Sequence, residues 1–472
     1  MSGEAPTKAL DALLGDQGVL TAPHDMAPYL SDALGLFHGE ALCVARPRDT
    51  EEVAETLRIA ARHGLSVTPA GGRTGFCGGA VPGAQNPHIV VSLERMRRIR
   101  AIDTVNDALI ADAGCTLAEI REAADRADRL FPVSHGGEGS SQIGGMIATN
   151  AGGNNVLRYG MARANVLGLE VVLADGTIWD GLRTLRKDNS GYDLKQLFIG
   201  SEGTLGIVTG AALALRPRPL ARGAALAAVA GPEAALGLYA HMRGEIGELI
   251  SAFELMPKIG VDLHLARRGG GSDPFAGAHP WMVLVELETV IRRLDPADLL
   301  EETLAAAFEK GLAHDAVVAR SEDQRRRLWA LREGLAEAQV ANPCALKSDT
   351  SVPVGATAEF VRRAGEAVEA VLSGAVPVPF GHVGDGNIHF NVLAPDGMGP
   401  AEFAAVAPRL AGAIRDVALS CGGSIAAEHG LGQAKRDAAA TCKPPVEIEM
   451  MRRIRRALDP DGRMNPGKIV DT

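Results

Sequence analysis

The sequence predicts a protein of mixed helix and strand folded as two or three domains. Its 472 residues exceed the roughly 250 to 300 at which a single hydrophobic core stops growing. Glycine, 56 of those residues, gathers into three blocks bordered by short apolar runs of strand length. At RPRPLARG, Arg216 to Gly223, two prolines separate this glycine-rich part from an Ala/Glu/Arg-rich part in which helical and strand patterns alternate. The main domain boundary is expected there.

The elements follow in order. Asp49 opens a helix, with Glu52 at the capping-box position, Val53, Leu57 and Ala60 on one stripe and Gly64 as a stop. A strand over 65–68 runs into the first glycine block, PAGGRTGFCGGA at 69–80, and a second strand follows at 89–93. The second block, at 136–168, lacks sustained apolar periodicity, and a structureless loop of about 30 residues in a compact domain is usually functional. A strand over 169–173 closes on the Asp175-Gly176 turn. The third block, GSEGTLG at 200–206, leads into a strand over 207–215. Beyond the boundary, helices are expected over 233–248, 296–310, 321–340 and 356–373. The segment 425–472 regains glycine, holds a helix near 446–458 and ends GRMNPGKIVDT.

Composition excludes several classes. A net charge of -10 argues against a nucleic-acid groove, which needs a basic surface to displace counterions. Six cysteines without any C-x-x-C indicate neither a disulfide scaffold nor a zinc finger. The start, MSGEAPTKALDALLGDQG, lacks a basic region followed by an apolar one, and no run of about 18 apolar residues occurs. A soluble, cytoplasmic protein is expected.

A pyrophosphate is held by several backbone N–H groups converging with no Cβ in the way. Gly71, Gly72, Gly75, Gly78 and Gly79 permit that, with the Thr74 hydroxyl as a further donor. One such block is an ordinary loop; three together point to a ligand. No G-x-G-x-x-G follows a strand and opens a helix, and no Walker A loop is present, so the ligand is held some other way.

In GHVGDGNIHFNV, Asp385-Gly386 lies midway between His382 and His389, and Asp-Gly is a preferred type I′ hairpin turn. A hairpin folded there pairs the two histidines, their Cβ atoms about 4.5 to 5.5 Å apart on one face. Asn391, two residues on, shares that face. Glu428-His429, in SIAAEHGLGQAKR, is bracketed by Gly422, Gly423, Gly430 and Gly432. Two neutral imidazoles and one carboxylate with open positions are a common catalytic arrangement for zinc or a similar ion, and His429 would then be left as a base. Two surface histidines beside a turn are the duller alternative. From spacing alone, Arg332 and Lys347 read as ordinary solvated charges.

Most of these residues lie in longer motifs: PAGGRTGFCGG, GGMIATNAGGNNVLRYG, NVLGLEVVLADG, LRKDNSGYDLKQLFIGSEGTLGIVT, LWALREG, GHVGDGNIHFNV, AEHGLGQAKR and MNPGKI. Through them nearly the whole chain resembles the flavoprotein D-2-hydroxyacid dehydrogenases, and the fourth motif with Asn391 resembles the hydroxyglutarate branch more than the D-lactate branch. The resemblance implies an α+β fold. A two-lobed FAD-binding domain of the vanillyl-alcohol-oxidase type would span 1–219, a substrate domain on an antiparallel sheet 220–424, and a C-terminal segment packing back on the FAD domain 425–472.

The resemblance also assigns residues. Gly71, Gly72, Arg73, Thr74, Gly75, Gly78 and Gly79 would hold the FAD pyrophosphate. Ser141, Gly144, Gly145, Thr149, Asn150 and Gly153 would line the flavin, with Glu202, Gly206, Ile207 and Asn465 nearby. FAD is expected to be non-covalent, with His135 and Cys77 the residues to check. His382, His389 and Glu428 would ligate a divalent metal, zinc first and manganese or cobalt as alternatives. His429 would be the base, and Arg332, Lys347 and Asn391 the substrate contacts.

The implied reaction oxidises a D-2-hydroxy acid, D-2-hydroxyglutarate first, by hydride transfer to the flavin. Electrons would pass to an electron-transfer flavoprotein or a quinone, and a homodimer is the assembly considered. Two departures matter. Ala336 stands where the hydroxyglutarate enzymes have a threonine four residues after the arginine, which leaves D-lactate, D-malate and glycolate open as substrates. Arg73 stands where asparagine is usual. An oxygen-using flavin oxidase and a non-catalytic flavin- or metal-binding protein are the rival readings.

Overall fold

The computed structural model describes residues 5–83, 87–268, 274–275, 277, 279–340 and 342–471. The chain divides into two compact units. Met1–Gly153, Gly160–Arg218 and Glu428–Thr472 form the first; Asn154–Tyr159 and Pro219–Ala427 form the second. Among the described residues, no helix is long and apolar enough to cross a membrane.

The first unit holds two main sheets. In one, Val19–Leu20, Cys43–Ala45, His88–Ser92 and Ser66–Ala70 lie in that order. Ser66–Ala70 and His88–Ser92 are consecutive in the chain yet run parallel, with Ser66 opposite His88. Neighbouring parallel strands need a crossover of a dozen or more residues, and the first glycine block from Gly71 onward lies within that crossover. The helix Thr50–Arg62 opens on Asp49 as expected, with Asp49 accepting the Glu52 N–H at 2.8 Å, but the capping box is not closed, since the Glu52 carboxylate accepts the N–H of Arg48, at 2.8 Å, instead of that of Asp49. Its stripe of Val53, Leu57 and Ala60 joins Val67, Ile89 and Val91 in one core.

The second sheet of this unit is antiparallel, in the order Ile99–Asp103, Ala108–Asp112, Ile207–Ala214, Val166–Val172, Ile178–Gly181. Ile207–Ala214, at its centre, is buried at every position. The second glycine block departs from the expected loop. It contains the helix Ile143–Thr149, ended by Asn150 in the left-handed conformation at φ 51°. The pair Gly144-Gly145 masks the apolar period there. Gly144 is needed because a Cβ would stand 2.8 Å from that of Ala113.

The second unit is built on a four-stranded antiparallel sheet, in the order Ile250–Pro257, Trp281–Thr289, Ala221–Val229, Asp315–Val318. Ile250–Pro257 is buried along its whole length, because apolar clusters lie on both faces. Phe253 and Leu255 belong to one, with Leu238 and Leu300 of the helices Pro232–Ile246 and Pro296–Glu309; Ala252 and Met256 belong to the other, with Leu335 of the helix Glu322–Val340. A smaller sheet centres on Asn387–Leu393, paired with Val376–Phe380 on one side and with Ala345–Leu346 and Thr350–Ser351 on the other. The helices Thr357–Val371 and Pro400–Ser420 cover it through Phe360, Val361, Leu410 and Ile414.

Candidate active site

In the second unit, the two histidines meet by a different route from the expected hairpin. The residue opposite His389 is Phe380, not His382. The strand ends at Phe380 because Gly381, at φ 137°, turns aside to exchange backbone hydrogen bonds with Leu255, at 3.0 and 2.8 Å. The His382 carbonyl then accepts the N–H groups of both Asp385 and Gly386 at 3.1 Å. Gly386 has φ 85° and Asp385 does not take positive φ, so the turn is not type I′. A Cβ on Gly386 would stand 2.1 Å from the Val352 carbonyl oxygen. Even so, the imidazole centroids lie 5.8 Å apart at 74°.

The loop that makes this possible is pinned by a residue the sequence reading missed. Glu254, 1% exposed, accepts from His382 Nδ1 at 2.6 Å through Oε1 and from Arg332 Nε at 2.7 Å through Oε2. Burial alone would raise the Glu254 carboxyl, but the adjacent His382 and Arg332 outweigh it and hold it down at about 2. The Arg332 guanidinium also lies 4.9 Å from the centroid of Phe380, whose ring is 5.2 Å from that of His389. A lone acid in the apolar run ISAFELMP was the signal available, since an unpaired charge is almost never fully buried.

Glu428 follows directly on Ala427, whose N–H donates to the buried Asp349 at 3.2 Å. Of the three expected ligands, His382 and His389 lie in the second unit and Glu428 opens the last segment of the first. This donor set suits a zinc-like ion with open coordination positions. Lys347 is exposed, and partial desolvation lowers its ammonium from the ordinary value. Asn391 is buried; its Oδ1 accepts the Ser348 N–H at 3.0 Å and its Nδ2 donates to Gln339 at 2.8 Å. It thus holds the segment that carries Lys347. Ala336 is exposed, one turn beyond Arg332 on the same helix.

In the first unit, the three glycine blocks meet pairwise. A Cβ on Gly72 would stand 1.9 Å from the Ser140 carbonyl oxygen, and one on Gly71 would be 3.4 Å from the Gly145 Cα. Thr74 Oγ1 and Ser141 Oγ are 2.9 Å apart. The Glu202 N–H donates to the Ala148 carbonyl at 2.8 Å, and a Cβ on Gly79 would be 3.3 Å from the Glu202 carboxylate. Asn465 closes the ring, donating to the carbonyls of Gly79 at 2.9 Å and Glu202 at 2.7 Å.

Other assigned residues act as framework here. Thr149 donates to the Gly145 carbonyl at 3.1 Å, and Asn150 accepts the Arg163 N–H at 2.9 Å. Gly153 must be glycine, since at φ 134° its Cβ would meet the Ser134 carbonyl oxygen at 1.9 Å. Gly206 packs against Val171, and Ile207 starts the central strand opposite Val172. Arg73 takes φ 57°, a left-handed conformation that asparagine tolerates well. Its guanidinium lies 4.1 Å from the Tyr29 ring centroid and 3.8 Å from Glu94.

The cradle fits a polar ligand. Among the described residues eleven buried side-chain polar atoms have no partner, and His135 Nε2, Gln142 Oε1 and Asn465 Oδ1 are three of them. Buried polar groups are ordinarily hydrogen-bonded, and these three border the glycine blocks. His135 Nδ1 accepts the Gly137 N–H at 3.2 Å, so Nε2 carries the proton of the neutral ring. Burial lowers its pKa.

His429 is carried by a loop fastened to the first glycine block. Its ring meets Phe76 edge-on at 5.2 Å. Glu202 accepts the N–H groups of Leu431 at 2.7 Å and Gly432 at 2.8 Å, and the Gln433 N–H donates to the Cys77 carbonyl at 2.8 Å. Glu202 is therefore a strut for this loop, and burial raises its carboxyl against the effect of those two donors.

Residues 41–181 match the family described as FAD binding domain, and residues 218–469 the family of FAD linked oxidases, C-terminal domain. The chain is 37% identical over 465 residues to the mitochondrial D-2-hydroxyglutarate dehydrogenase of Rattus norvegicus, covering 96% of this chain and 82% of that protein. It is also 37% identical to the D-2-hydroxyglutarate dehydrogenase of Xanthomonas citri pv. viticola, covering 96% and 94%. Among solved structures, p-cresol methylhydroxylase with substrate bound matches at TM-score 0.78 and 17% identity, over 99% of this chain and 96% of that one. The 4-ethylphenol oxidase from Gulosibacter chungangensis matches at 0.75 and 19%, over 98% and 96%. The fold is that of the vanillyl-alcohol-oxidase-type flavoproteins.

Proposed function

The chain belongs to the FAD-linked oxidase family and, within it, to the D-2-hydroxyacid dehydrogenases; on that premise we propose that it oxidises D-2-hydroxyglutarate to the 2-oxo acid with a divalent metal in the site. The observation that supports this most is the approach of the His382 and His389 rings, centroids 5.8 Å apart, in a chain that also carries a glycine-lined cradle with orphaned polar atoms.

FAD, when bound, supplies the hydride acceptor, and a zinc-like ion supplies a Lewis acid that lowers the pKa of the substrate hydroxyl. His429 takes the hydroxyl proton as general base. Arg332 grips a carboxylate with the guanidinium nitrogens other than the Nε that is spent on Glu254. Lys347, partly desolvated, adds a mobile cation on the segment that Asn391 holds. FAD is held without a covalent link, so acid precipitation should release all of the flavin. Electrons leave to an electron-transfer flavoprotein or a quinone, and the protein works in the cytoplasm as a homodimer.

Exposed Ala336 favours a second reading, a shorter D-2-hydroxy acid. Rates on D-2-hydroxyglutarate, D-malate, D-lactate and glycolate with a dye acceptor separate the two. The highest kcat/KM is expected on D-2-hydroxyglutarate; a highest value on D-lactate would install the shorter acid instead.

A further inference from the structure

We propose that Glu254 is a positioning residue that sets a metal ligand and the substrate-binding arginine with one carboxylate. The proposal rests on the metal reading given above. Each oxygen has its own partner: Oε1 faces His382 Nδ1 at 2.6 Å and Oε2 faces Arg332 Nε at 2.7 Å. A carboxylate only accepts hydrogen bonds, so His382 must carry its proton on Nδ1, which turns Nε2 into the ligand atom. Metal-binding histidines are commonly oriented in this way by a carboxylate, which fixes both tautomer and ring direction.

The same contact fixes the guanidinium. With Nε held by Oε2 and Cζ over the Phe380 ring at 4.9 Å from its centroid, the guanidinium is fixed at two points by the protein before substrate arrives. Phe380 in turn packs 5.2 Å from His389. Glu254 itself is fixed by its strand, since Leu255 exchanges backbone hydrogen bonds with Gly381, the residue before His382. Metal ligand and arginine therefore share one reference point. Glutamine cannot replace it, because a single amide oxygen accepts for one partner and the NH2 group then meets a donor on the other.

The test titrates Zn(II) against a competing chelator into metal-stripped, FAD-loaded wild type, Glu254→Gln, Glu254→Asp and Arg332→Met, with flavin content and melting temperature as controls of folding. Glu254→Gln should weaken zinc binding by roughly 10- to 100-fold, Glu254→Asp should fall between it and wild type, and Arg332→Met should stay within about threefold of wild type. If Glu254→Gln does not fold, Glu254→Asp decides. Wild-type zinc affinity in both Glu254 variants overturns the proposal while the metal reading stands. An equal loss in Arg332→Met also overturns it, since Glu254 would then be a mere ion-pair partner. Failure of the wild type to bind zinc stoichiometrically overturns the metal reading and this proposal together.

Discussion

The first unit builds its cradle from backbone, the second braces its cluster of His382, His389, Arg332 and Glu254 through side chains, and the two respond differently to substitution. In the cradle, function depends on what is missing: Gly72 and Gly153 each leave a gap that a Cβ would close to 1.9 Å from a carbonyl oxygen. In the cluster the proposed function depends on what is present and how it is braced, because one buried carboxylate is hydrogen-bonded to both His382 and Arg332. A backbone site fails by overfilling and a side-chain site by losing a partner.

The sharpest way to break that contrast is His382→Ala. Metal activation is worth several kcal/mol, so kcat should fall by roughly 1000-fold or more while the flavin spectrum and content stay as in the wild type. Loss of FAD in this variant would erase the distinction. Next in size is Gly72→Ala, which forces the loop against Ser140. Overpacking costs about 1 to 3 kcal/mol, so the FAD dissociation constant should rise at least about fivefold by fluorescence titration, with zinc affinity unchanged. Ala336→Thr adds one hydroxyl a turn beyond Arg332; a hydrogen bond worth about 1 kcal/mol should lower KM for D-2-hydroxyglutarate by about fivefold relative to D-lactate.

The smallest effect concerns pH and the first unit's core. Burial pushes the Cys43 thiol up to about 12 from an unfolded value of 9.0. Between those values the unfolded chain binds fewer protons, so this thiol makes the protein less stable as pH rises. Cys43→Ala lacks that penalty. Between pH 8 and pH 10 the stability of wild type should fall by about 1.4 kcal/mol relative to the variant, measured by urea unfolding at each pH.

The two regions also differed in how far they could be read from the sequence. Glycine is conspicuous, and the elements around the cradle came out close to expectation: a strand foreseen at 207–215 is Ile207–Ala214, and Asp49 caps its helix. The helix Ile143–Thr149 escaped because paired glycines carry no apolar period. The helix Leu117–Arg126 was overlooked although Thr116 and Glu119 form a full capping box. For the cluster, the residue types were legible but the geometry was not. Asp385-Gly386 reads locally as a hairpin turn, yet the long-range exchange between Gly381 and Leu255 shifts the pairing by two residues. Glu254 lies 128 positions from His382, and no local spacing rule connects them.

Anaerobic titration of the flavin absorbance with the D and L forms of 2-hydroxyglutarate, malate and lactate tests the central claim most directly. The account predicts stoichiometric bleaching by D-2-hydroxyglutarate, none by its L form, and loss of the bleaching in His382→Ala with the flavin still bound. An oxidised spectrum that no D-2-hydroxy acid changes, in wild-type protein loaded with FAD and zinc, would contradict it.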